Sequence, residues 1–429
     1  MSKDFFVKYL LKSKISLPIA ILLLLLTNTA FSQYGWHQLN SGATNNLHGV
    51  KFYSANFGMV VGENGKILRT TNGGLNWFSG TVVSSLAMYK LAYVDSLRWT
   101  IVGQNGLILY SSNAGSSWNV NGTAGVSVNL ADIQFVKTEG VTSDTGYIAG
   151  VNGTLLRTTN GGVTWSQVPV ITSNNLYFVH FVGQNTGFVG GYNVAIKTTN
   201  AGVNWTTVTP APNMELSRAD FKDSDNGIIV GGTDISNDGV IYRTSNGGAN
   251  WSEYLTPFEA LKSVIYLTNG NISIVGNNGI ILMSYTNGNN WEIQTSPVTT
   301  FLRDSYFVDT STAYAVGNSG TIIKTTSAGV IINVHQISSE IPSSFRLYQN
   351  YPNPFNPSTN FWFDIPVSGL VSLKIYDSLG REVKTVLNKV LQAGRYEYTY
   401  QGENIPSGLY FYTLTANDFS QTMKMILVK

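Results

Sequence analysis

Seven of the nine tryptophans recur at a nearly constant spacing, and this repeat limits what the chain can fold into more than any other feature. They follow one another at intervals of 40 to 47 residues: Trp36, Trp77, Trp118, Trp165, Trp205, Trp251 and Trp291. A fixed period of this length indicates a repeat architecture, in which every unit is one supersecondary structure packed against its neighbours.

Each repeat has the same internal pattern. It runs L-x-x-V-x-F, a short apolar stretch ending in V-G, then G-x-N-G, I-L-R-T-T and N-G-G-x-N-W, as residues 62–74 and 150–162 illustrate. Short β-branched and aromatic segments separated by Gly and Asn predict four strands joined by tight turns. The turns before the third strand begin at Gly62, Gly103, Gly150, Gly190, Gly231, Gly276 and Gly317. Four-stranded units of this length are typical of propeller blades, so the sequence predicts an all-β, seven-bladed β-propeller.

The two ends of the repeat region predict how the ring closes. The seventh repeat has no tryptophan after Gly329, whereas Trp36 has no repeat before it. We predict that the strand at Trp36 pairs beside the strand around Ile322 to Thr326, because this pairing leaves no exposed sheet edge. The alternative is that residues 330–337 form the missing strand, which would leave Trp36 without a blade.

The turn between the third and fourth strands resembles a known motif. Thr70-x-Asn72-x-Gly74-x-Asn76-Trp77 is similar to the Asp-box of sialidases, sortilin-type propellers and photosystem II assembly-factor propellers, with Asn in the usual Asp position. Further copies occupy residues 111–118, 158–165, 198–205, 244–251 and, in altered form, 284–291. Asn bonds backbone amides in such turns, Gly accepts a left-handed backbone and Trp fills the space between sheets. We therefore expect a structural role for the motif.

Residues 1–32 are predicted to be a signal peptide. Four lysines precede the apolar run 19–26, and Ala30-Phe31-Ser32 supplies small residues for cleavage before Gln33. The apolar run is much shorter than the about 20 residues of a membrane span, so no transmembrane segment is expected in the mature chain. A net charge of +3 in this segment and +2 in the whole chain leaves −1 for the rest, which does not favour a nucleic-acid partner. The absence of cysteine excludes disulfides, thiol nucleophiles and a lipidated N-terminus.

The character of the sequence changes near residue 338. Five prolines, at positions 342, 352, 354, 357 and 366, accompany short alternating strands with turns at residues 377–380, 392–394 and 406–408. This pattern predicts a small Ig-like β-sandwich over residues 346–429. The predicted propeller then spans residues 33–337, and residues 338–345 form a linker.

The C-terminal module resembles the type A sorting domain of proteins exported by the type IX secretion system of Bacteroidota. The resemblance rests on residues 351–359, 375–383, 393–396, 407–412 and 424–429. It implies that an outer-membrane translocon recognises the module in the periplasm and that a sortase removes it. The propeller would then be secreted or attached to the outer surface. The alternative interpretation is an accessory Ig-like domain that binds carbohydrate.

A ligand face is predicted at the mouth of the central channel. The two variable positions of L-x-x-V-x-F differ in every blade while their flanking residues repeat, and they contain aromatic and cationic side chains. Such side chains could bind an acidic or planar group of a glycan, polymer or protein. The candidates are His48, Tyr89, Lys90, Asp132, Tyr177, Phe178, Arg218, Lys262, Arg303 and Asp304.

No catalytic residue and no cofactor are predicted. The resemblance to sialidases implies three arginines, a Tyr-Glu pair and an acid, but only Arg218 and Arg303 stand at channel positions. Glycoside hydrolysis requires two carboxylates about 5–10 Å apart, whereas Asp132 and Asp304 belong to distant blades. A non-catalytic binding propeller is therefore expected. The alternatives are a secreted glycoside hydrolase and an assembly-factor-like propeller that acts on a protein.

No metal site is predicted either. Asp234-x-Ser236-x-Asp238-Gly239 resembles the start of a calcium loop, but Ser245 occupies the twelfth position, where a bidentate glutamate is expected. The four histidines show no spacing typical of metal ligands.

Overall fold

The computed structural model describes residues 35–121, 125–138, 141–233, 238–328, 334–338, 340–402 and 405–429. The predicted signal peptide lies outside this set. The chain divides into a propeller unit, Tyr34–Val330, and a second unit that includes Ile331–Lys429. Within the described residues, the first unit has seven four-stranded antiparallel sheets and the second has two. The predicted fold class, a seven-bladed propeller followed by a small Ig-like sandwich, is confirmed.

Each blade is a meander whose strands succeed one another outwards from the channel. The innermost strands are Leu47–Phe52, Met88–Tyr93, Leu130–Thr138, Leu176–Phe181, Met214–Phe221, Leu261–Tyr266 and Leu302–Phe307. The second strands are Gly58–Gly62, Trp99–Gly103, Val141–Gly150, Gly187–Gly191, Gly227–Thr233, Ile272–Gly276 and Ala313–Gly317. The third strands are Ile67–Thr70, Ile108–Ser111, Thr154–Thr158, Val194–Thr198, Asp238–Thr244, Ile281–Ser284 and Ile322–Thr325. The outer strands are Phe78–Ser79, Asn119–Val120, Ser166–Gln167, Thr206–Thr207, Ser252–Glu259, Glu292–Ile293 and, for the seventh blade, His37–Leu39.

The Phe of L-x-x-V-x-F packs one blade against the next. Phe181 stacks on Tyr147 of the preceding blade, with ring centroids 3.9 Å apart. Phe52 makes the same contact with Tyr314, also at 3.9 Å. Within its own blade the Phe52 ring lies over Gly58, where an added Cβ would come 2.5 Å from the ring. A glycine at the start of the second strand therefore makes room for the ring that joins two blades.

The ring closes through the N-terminal strand. His37 pairs with Lys324 and Leu39 with Ile322, so residues from both ends of the propeller unit form the seventh blade. Trp36 is fully buried beside them, and its indole N–H donates to Gln294 Oε1 at 2.8 Å. This is the closure that the sequence analysis favoured, and it places Trp36 in the core between the sixth and seventh blades.

The segment after the seventh blade belongs to the second unit. Val334–Ser338 pairs with Gly394–Gln401, whereas the sequence boundary placed it in the propeller up to residue 337. The physical reason is that His37–Leu39 already occupies the outer position of the seventh blade. The backbone of Val334–Ser338 finds its hydrogen bonds on another sheet edge instead.

The Asp-box turns are held by side-chain oxygens. Thr70 Oγ1 accepts the Gly74 N–H at 2.9 Å and donates to Asn72 Oδ1 at 3.0 Å. Asn72 Oδ1 also accepts the Asn76 N–H at 3.0 Å. The turns from Ser111, Thr158, Thr198 and Thr244 repeat this network. The motif oxygens are thus engaged within the turns.

The second unit is a two-sheet sandwich. One sheet has the order Val334–Ser338, Gly394–Gln401, Ser358–Ile365, Arg346–Leu347, and the other the order Glu382–Leu391, Gly369–Asp377, Gly408–Ala416, Phe419–Leu427. Phe361 and Tyr412 lie in its core with ring centroids 4.4 Å apart. The Tyr412 hydroxyl accepts the Asn350 N–H at 2.8 Å and donates to the Tyr348 carbonyl at 3.0 Å. These bonds anchor the proline-rich segment to the core.

Replacing the buried closing tryptophan should weaken the propeller. We expect Trp36→Ala, in the chain from Gln33 onwards, to lower the free energy of unfolding by about 3–5 kcal/mol, because it removes a large core side chain and its hydrogen bond. Denaturant unfolding followed by far-ultraviolet circular dichroism measures the change. The control is Phe78→Ala, whose side chain is 60% exposed and which should change stability by less than about 0.5 kcal/mol. Equal stability of both variants would contradict the closing role of Trp36.

Candidate functional site

A β-bulge in every inner strand creates the upper mouth of the channel. In the first blade Leu47 pairs with Gly62 and Gly49 with Val61, so His48 has no partner on the second strand. The same one-residue shift occurs in the other six blades. A bulge re-aims the extra side chain away from the ladder. Each blade therefore presents the first variable residue of its L-x-x-V-x-F pattern at this end of the channel.

These bulge residues line one cavity of about 380 Å³, here called the upper cavity. They are His48, Tyr89, Ala131, Tyr177, Ser217, Lys262 and Arg303. Lys90 and Arg218, from the second variable position, also line it. The structure therefore brings together His48, Tyr89, Lys90, Tyr177, Arg218, Lys262 and Arg303 from the predicted ligand face.

The other three candidates do not line the upper cavity. Asp132 and Asp304 are buried below it, where they form ion pairs. Phe178 is fully buried in the core between the fourth and fifth blades, with its ring over Gly190. The second variable position follows the bulge, and its side chain points into the structure. The long side chains of Lys90 and Arg218 still line the cavity, whereas the ring of Phe178 packs in the hydrophobic core. Phe178 is accordingly a packing residue and not part of a ligand face.

A layer of buried ion pairs underlies the upper cavity. Asp304 Oδ1 lies 2.5 Å from Lys90 Nζ and accepts a bond from Ser263 Oγ at 3.2 Å, while Oδ2 accepts the Val50 N–H at 3.1 Å. Burial alone would raise the pKa of the Asp304 carboxyl, but the charges of Lys90 and Arg218 and these hydrogen bonds hold it below its usual range. The charge of Lys90 is thereby compensated inside the fold.

Arg218 and Asp132 form a second pair in this layer. The Arg218 guanidinium donates to Asp132 Oδ1, and Asp132 Oδ2 accepts the Val179 N–H of the next blade at 2.9 Å. The carboxylate is 1% exposed. Since both acids are used in this way, Arg218 and Lys90 position the inner strands and contribute little free charge to a ligand.

Arg303 is the cation of the mouth that has no ion pair among the described residues. Its Nε donates to Asn318 Oδ1 at 2.7 Å, and its guanidinium lies 4.7 Å from the ring centroid of Phe301. Lys262, by contrast, is paired with Glu215 at 2.8 Å. A guanidinium that lies over an aromatic ring still has free donors for a carboxylate.

The rings beside Arg303 stay uncharged. Burial, followed by the charge of Arg303, lowers the pKa of His48 to about 4, so its imidazole is neutral at pH 7. Burial and the charge of Glu63 raise the pKa of Tyr89 above its ordinary value. His48 and Tyr89 meet edge to face with centroids 5.5 Å apart. The mouth thus combines neutral aromatic surface with one cation that has no ion pair among the described residues.

Four residues that line the upper cavity were missed by the sequence analysis: Glu215, Ala260, Asn277 and Phe301. Glu215, Ala260 and Phe301 each stand directly before the leucine that opens L-x-x-V-x-F. This position also varies between blades, and it lies at the mouth next to the bulge residues. Extending the variable pattern by one residue would have identified these three, but not Asn277.

The described residues contain no group of three or more His, Asp or Glu side chains that could hold a metal ion. Most of the calcium-like segment, residues 234–237, lies outside them. None of the helices in the described part of the chain is sufficiently long and apolar to span a membrane.

Two family models match the chain. One, described as "Photosynthesis system II assembly factor YCF48", matches residues 28–124 and 122–257. The other, described as "Secretion system C-terminal sorting domain", matches residues 349–429. No curated protein matches.

Several solved structures share the propeller fold. "YCF48 bound to D1 peptide" is 16% identical with a TM-score of 0.57, covering 68% of this chain and 97% of that one. "YCF48 from Cyanidioschyzon merolae" is 16% identical with a TM-score of 0.54, covering 68% and 98%. "AFV00434, an ancestral GH74 enzyme", is 14% identical with a TM-score of 0.55, covering 91% and 63%. At these identities the likeness shows the fold alone.

Removing the partner of a buried carboxylate should be costly. We expect Arg218→Met to lower the free energy of unfolding by about 3–5 kcal/mol, because Asp132 is left as an uncompensated buried charge. Combining it with Asp132→Asn should restore most of the loss. Denaturant unfolding of the single and double variants measures both effects.

The matched control removes a more exposed ion pair of the same mouth. Lys262→Met, opposite the half-exposed Glu215, should cost less than about 1 kcal/mol. An Arg218→Met variant as stable as the native protein, or a double variant no more stable than the single one, would refute the role of the buried pair.

Proposed function

The chain belongs to the photosynthesis system II assembly factor YCF48 family, and on that basis we propose that its propeller is a binding module without catalytic activity. Its C-terminal module is a type IX secretion system sorting domain, which implies interaction with a translocon and secretion or attachment at the outer surface. We further propose that the upper cavity binds an acidic, planar group of an extracellular glycan, polymer or protein, and that a sortase removes the sorting domain.

The observation that carries this proposal is the position of Arg303. It stands at a mouth to which every blade contributes one variable side chain, and it has no ion pair among the described residues. Arginine binds carboxylates through two parallel hydrogen bonds, and the neighbouring rings offer faces to sugars or peptide groups. A cavity of about 380 Å³ has room for one such group. The solved structure with a D1 peptide supports keeping proteins among the ligands.

The charges of the mouth support a role without catalysis. Glu215 is the carboxylate that lines the upper cavity, and it is paired with Lys262. The raised pKa of Tyr89 keeps its phenol protonated at neutral pH, which is the reverse of nucleophile activation. Asp132 and Asp304 lie in buried ion pairs. The similarity to a GH74 enzyme concerns the fold, so hydrolysis remains the second candidate.

Binding can be tested on an array of acidic and neutral glycans, surface polymers and peptides, with the chain from Gln33 onwards. We expect native protein to bind a carboxylate-bearing probe and Arg303→Met to bind it at least tenfold more weakly. Lys66→Met is the matched control, because Lys66 lies in the turn next to Glu63 but does not line the upper cavity. It should bind within twofold of native protein.

Two results would overturn the proposal. One is an Arg303→Met variant that equals native protein in affinity for every probe that binds. The other is no binding of any acidic probe to native protein. Release of cleaved sugar from the same glycans would support the hydrolase instead. Substitutions of Lys90 and Arg218 are unsuitable for testing binding, because they leave the buried carboxylates of Asp304 and Asp132 without an ion pair.

Export depends on the sorting domain in this proposal. In a bacterium with a type IX secretion system, we expect the chain without residues 349–429 to accumulate in the periplasm, while the full chain reaches the medium or the cell surface. Cell fractionation with an antibody against the propeller measures the distribution. The control is Lys374→Met, which removes a half-exposed ion pair with Glu382. Surface delivery of the truncated chain would contradict the sorting role.

A further inference from the structure

A second cavity of about 520 Å³, here called the lower cavity, opens at the other end of the channel. Its wall includes inner-strand residues that follow the bulge, among them Lys51, His180 and Tyr306. Arg218 lines both cavities, so the buried ion-pair layer separates them. None of the lower-cavity residues lines the upper cavity except Arg218.

Side chains of the lower cavity satisfy backbone groups across blade boundaries. In three inner strands the residue between V and F accepts a backbone N–H of the next blade. Gln134 Oε1 accepts the Phe181 N–H, His180 Nε2 accepts the Phe221 N–H, and Asp220 Oδ2 accepts the Tyr266 N–H. Lys51 occupies the same position in the first blade. An ammonium group has no lone pair to accept such a bond. Its charge is therefore left for another partner.

The ammonium group of Lys51 has no hydrogen bond and no ion pair among the described residues. Its Nζ lies 4.8 Å from the ring centroid of Tyr306. Burial, followed by the charges of Lys137 and Arg218, lowers the pKa of Lys51 to about 8, so the ammonium form prevails at neutral pH. Lys137 lines the same cavity, is exposed, and likewise has no ion pair among the described residues. Two neighbouring cations thus share one cavity.

The acids of the lower cavity are already engaged. Asp220 lies 3.3 Å from His180 Nδ1 in addition to accepting the Tyr266 N–H. Asp309 Oδ1 accepts the N–H groups of Ser311 and Thr312, each at 2.7 Å, within its own turn. Neither carboxylate forms an ion pair with Lys51 or Lys137, so both ammonium groups remain for a ligand.

We propose that the lower cavity binds a small organic anion through a carboxylate that lies between Lys51 and Lys137. The body of the ligand contacts the rings of Tyr93 and Tyr306, whose hydroxyls are 3.5 Å apart in the cavity wall. The volume and the aromatic wall favour an organic anion, because phosphate or sulfate would fill a small part of the space and leave the rings uncovered. This site is independent of the one proposed at the upper cavity.

Calorimetric titration of the chain from Gln33 onwards with benzoate, 4-hydroxybenzoate and galacturonate tests the proposal. We expect at least one of these carboxylates to bind, with affinity reduced at least tenfold in Lys51→Met and about threefold in Lys137→Met. Methionine matches the length of lysine and removes the charge. Lys222→Met, at an exposed lysine outside both cavities, should bind as native protein does. The titrations are repeated with Arg303→Met as the starting protein, so that the binding that remains belongs to the lower cavity.

Inorganic phosphate and sulfate serve as comparison probes. Equal or tighter binding of these ions, lost in Lys51→Met, would overturn the assignment to an organic ligand. Unchanged carboxylate binding in Lys51→Met, or no binding of any carboxylate to native protein, would overturn the site itself. Thermal unfolding of each variant shows that a loss of binding does not come from a loss of folding.

Discussion

The inner edge of every blade faces the channel, and its backbone groups have no further strand to pair with. This constraint shapes the centre of the propeller. Side chains of one blade accept N–H groups of the next: Asp304 that of Val50, Asp132 that of Val179 and Gln134 that of Phe181. Unpaired sheet edges otherwise invite association with other chains. The channel is polar because its side chains complete the backbone hydrogen bonding.

The two proposed binding surfaces contain the cations that this hydrogen bonding between blades does not use. Acids and amides can accept backbone N–H groups, whereas cations cannot. Lys90 and Arg218 form ion pairs with the carboxylates of Asp304 and Asp132, so their charges are compensated inside the fold. Arg303 and Lys51 lie at opposite ends of the channel without an ion pair among the described residues. One structural requirement thus separates the cations that hold the ring together from those that remain for ligands.

The repeat made the fold predictable from sequence, because spacing and turn chemistry are local properties. The inner-strand pattern also identified seven of the residues that line the upper cavity, since variable positions within a repeat lie at equivalent places. The exceptions have non-local causes. Whether Phe178 faces the channel or the core depends on the direction set by the bulge and on space above Gly190. The pairing of Asp304 with Lys90 joins the seventh blade to the second, a contact that one sequence does not reveal. The pairing of Val334–Ser338 likewise depends on which sheet edge is free, because His37–Leu39 already occupies the outer edge of the seventh blade.

The seventh blade combines the first strand of the propeller with its last three strands in chain order, so its folding depends on both ends of the propeller unit. His37–Leu39 emerges early during synthesis but finds its partner only when Ile322–Thr325 is present. Contacts between such distant residues slow folding. An incomplete chain therefore cannot close the ring, and the closed propeller forms only when both the first and the last of its strands are available.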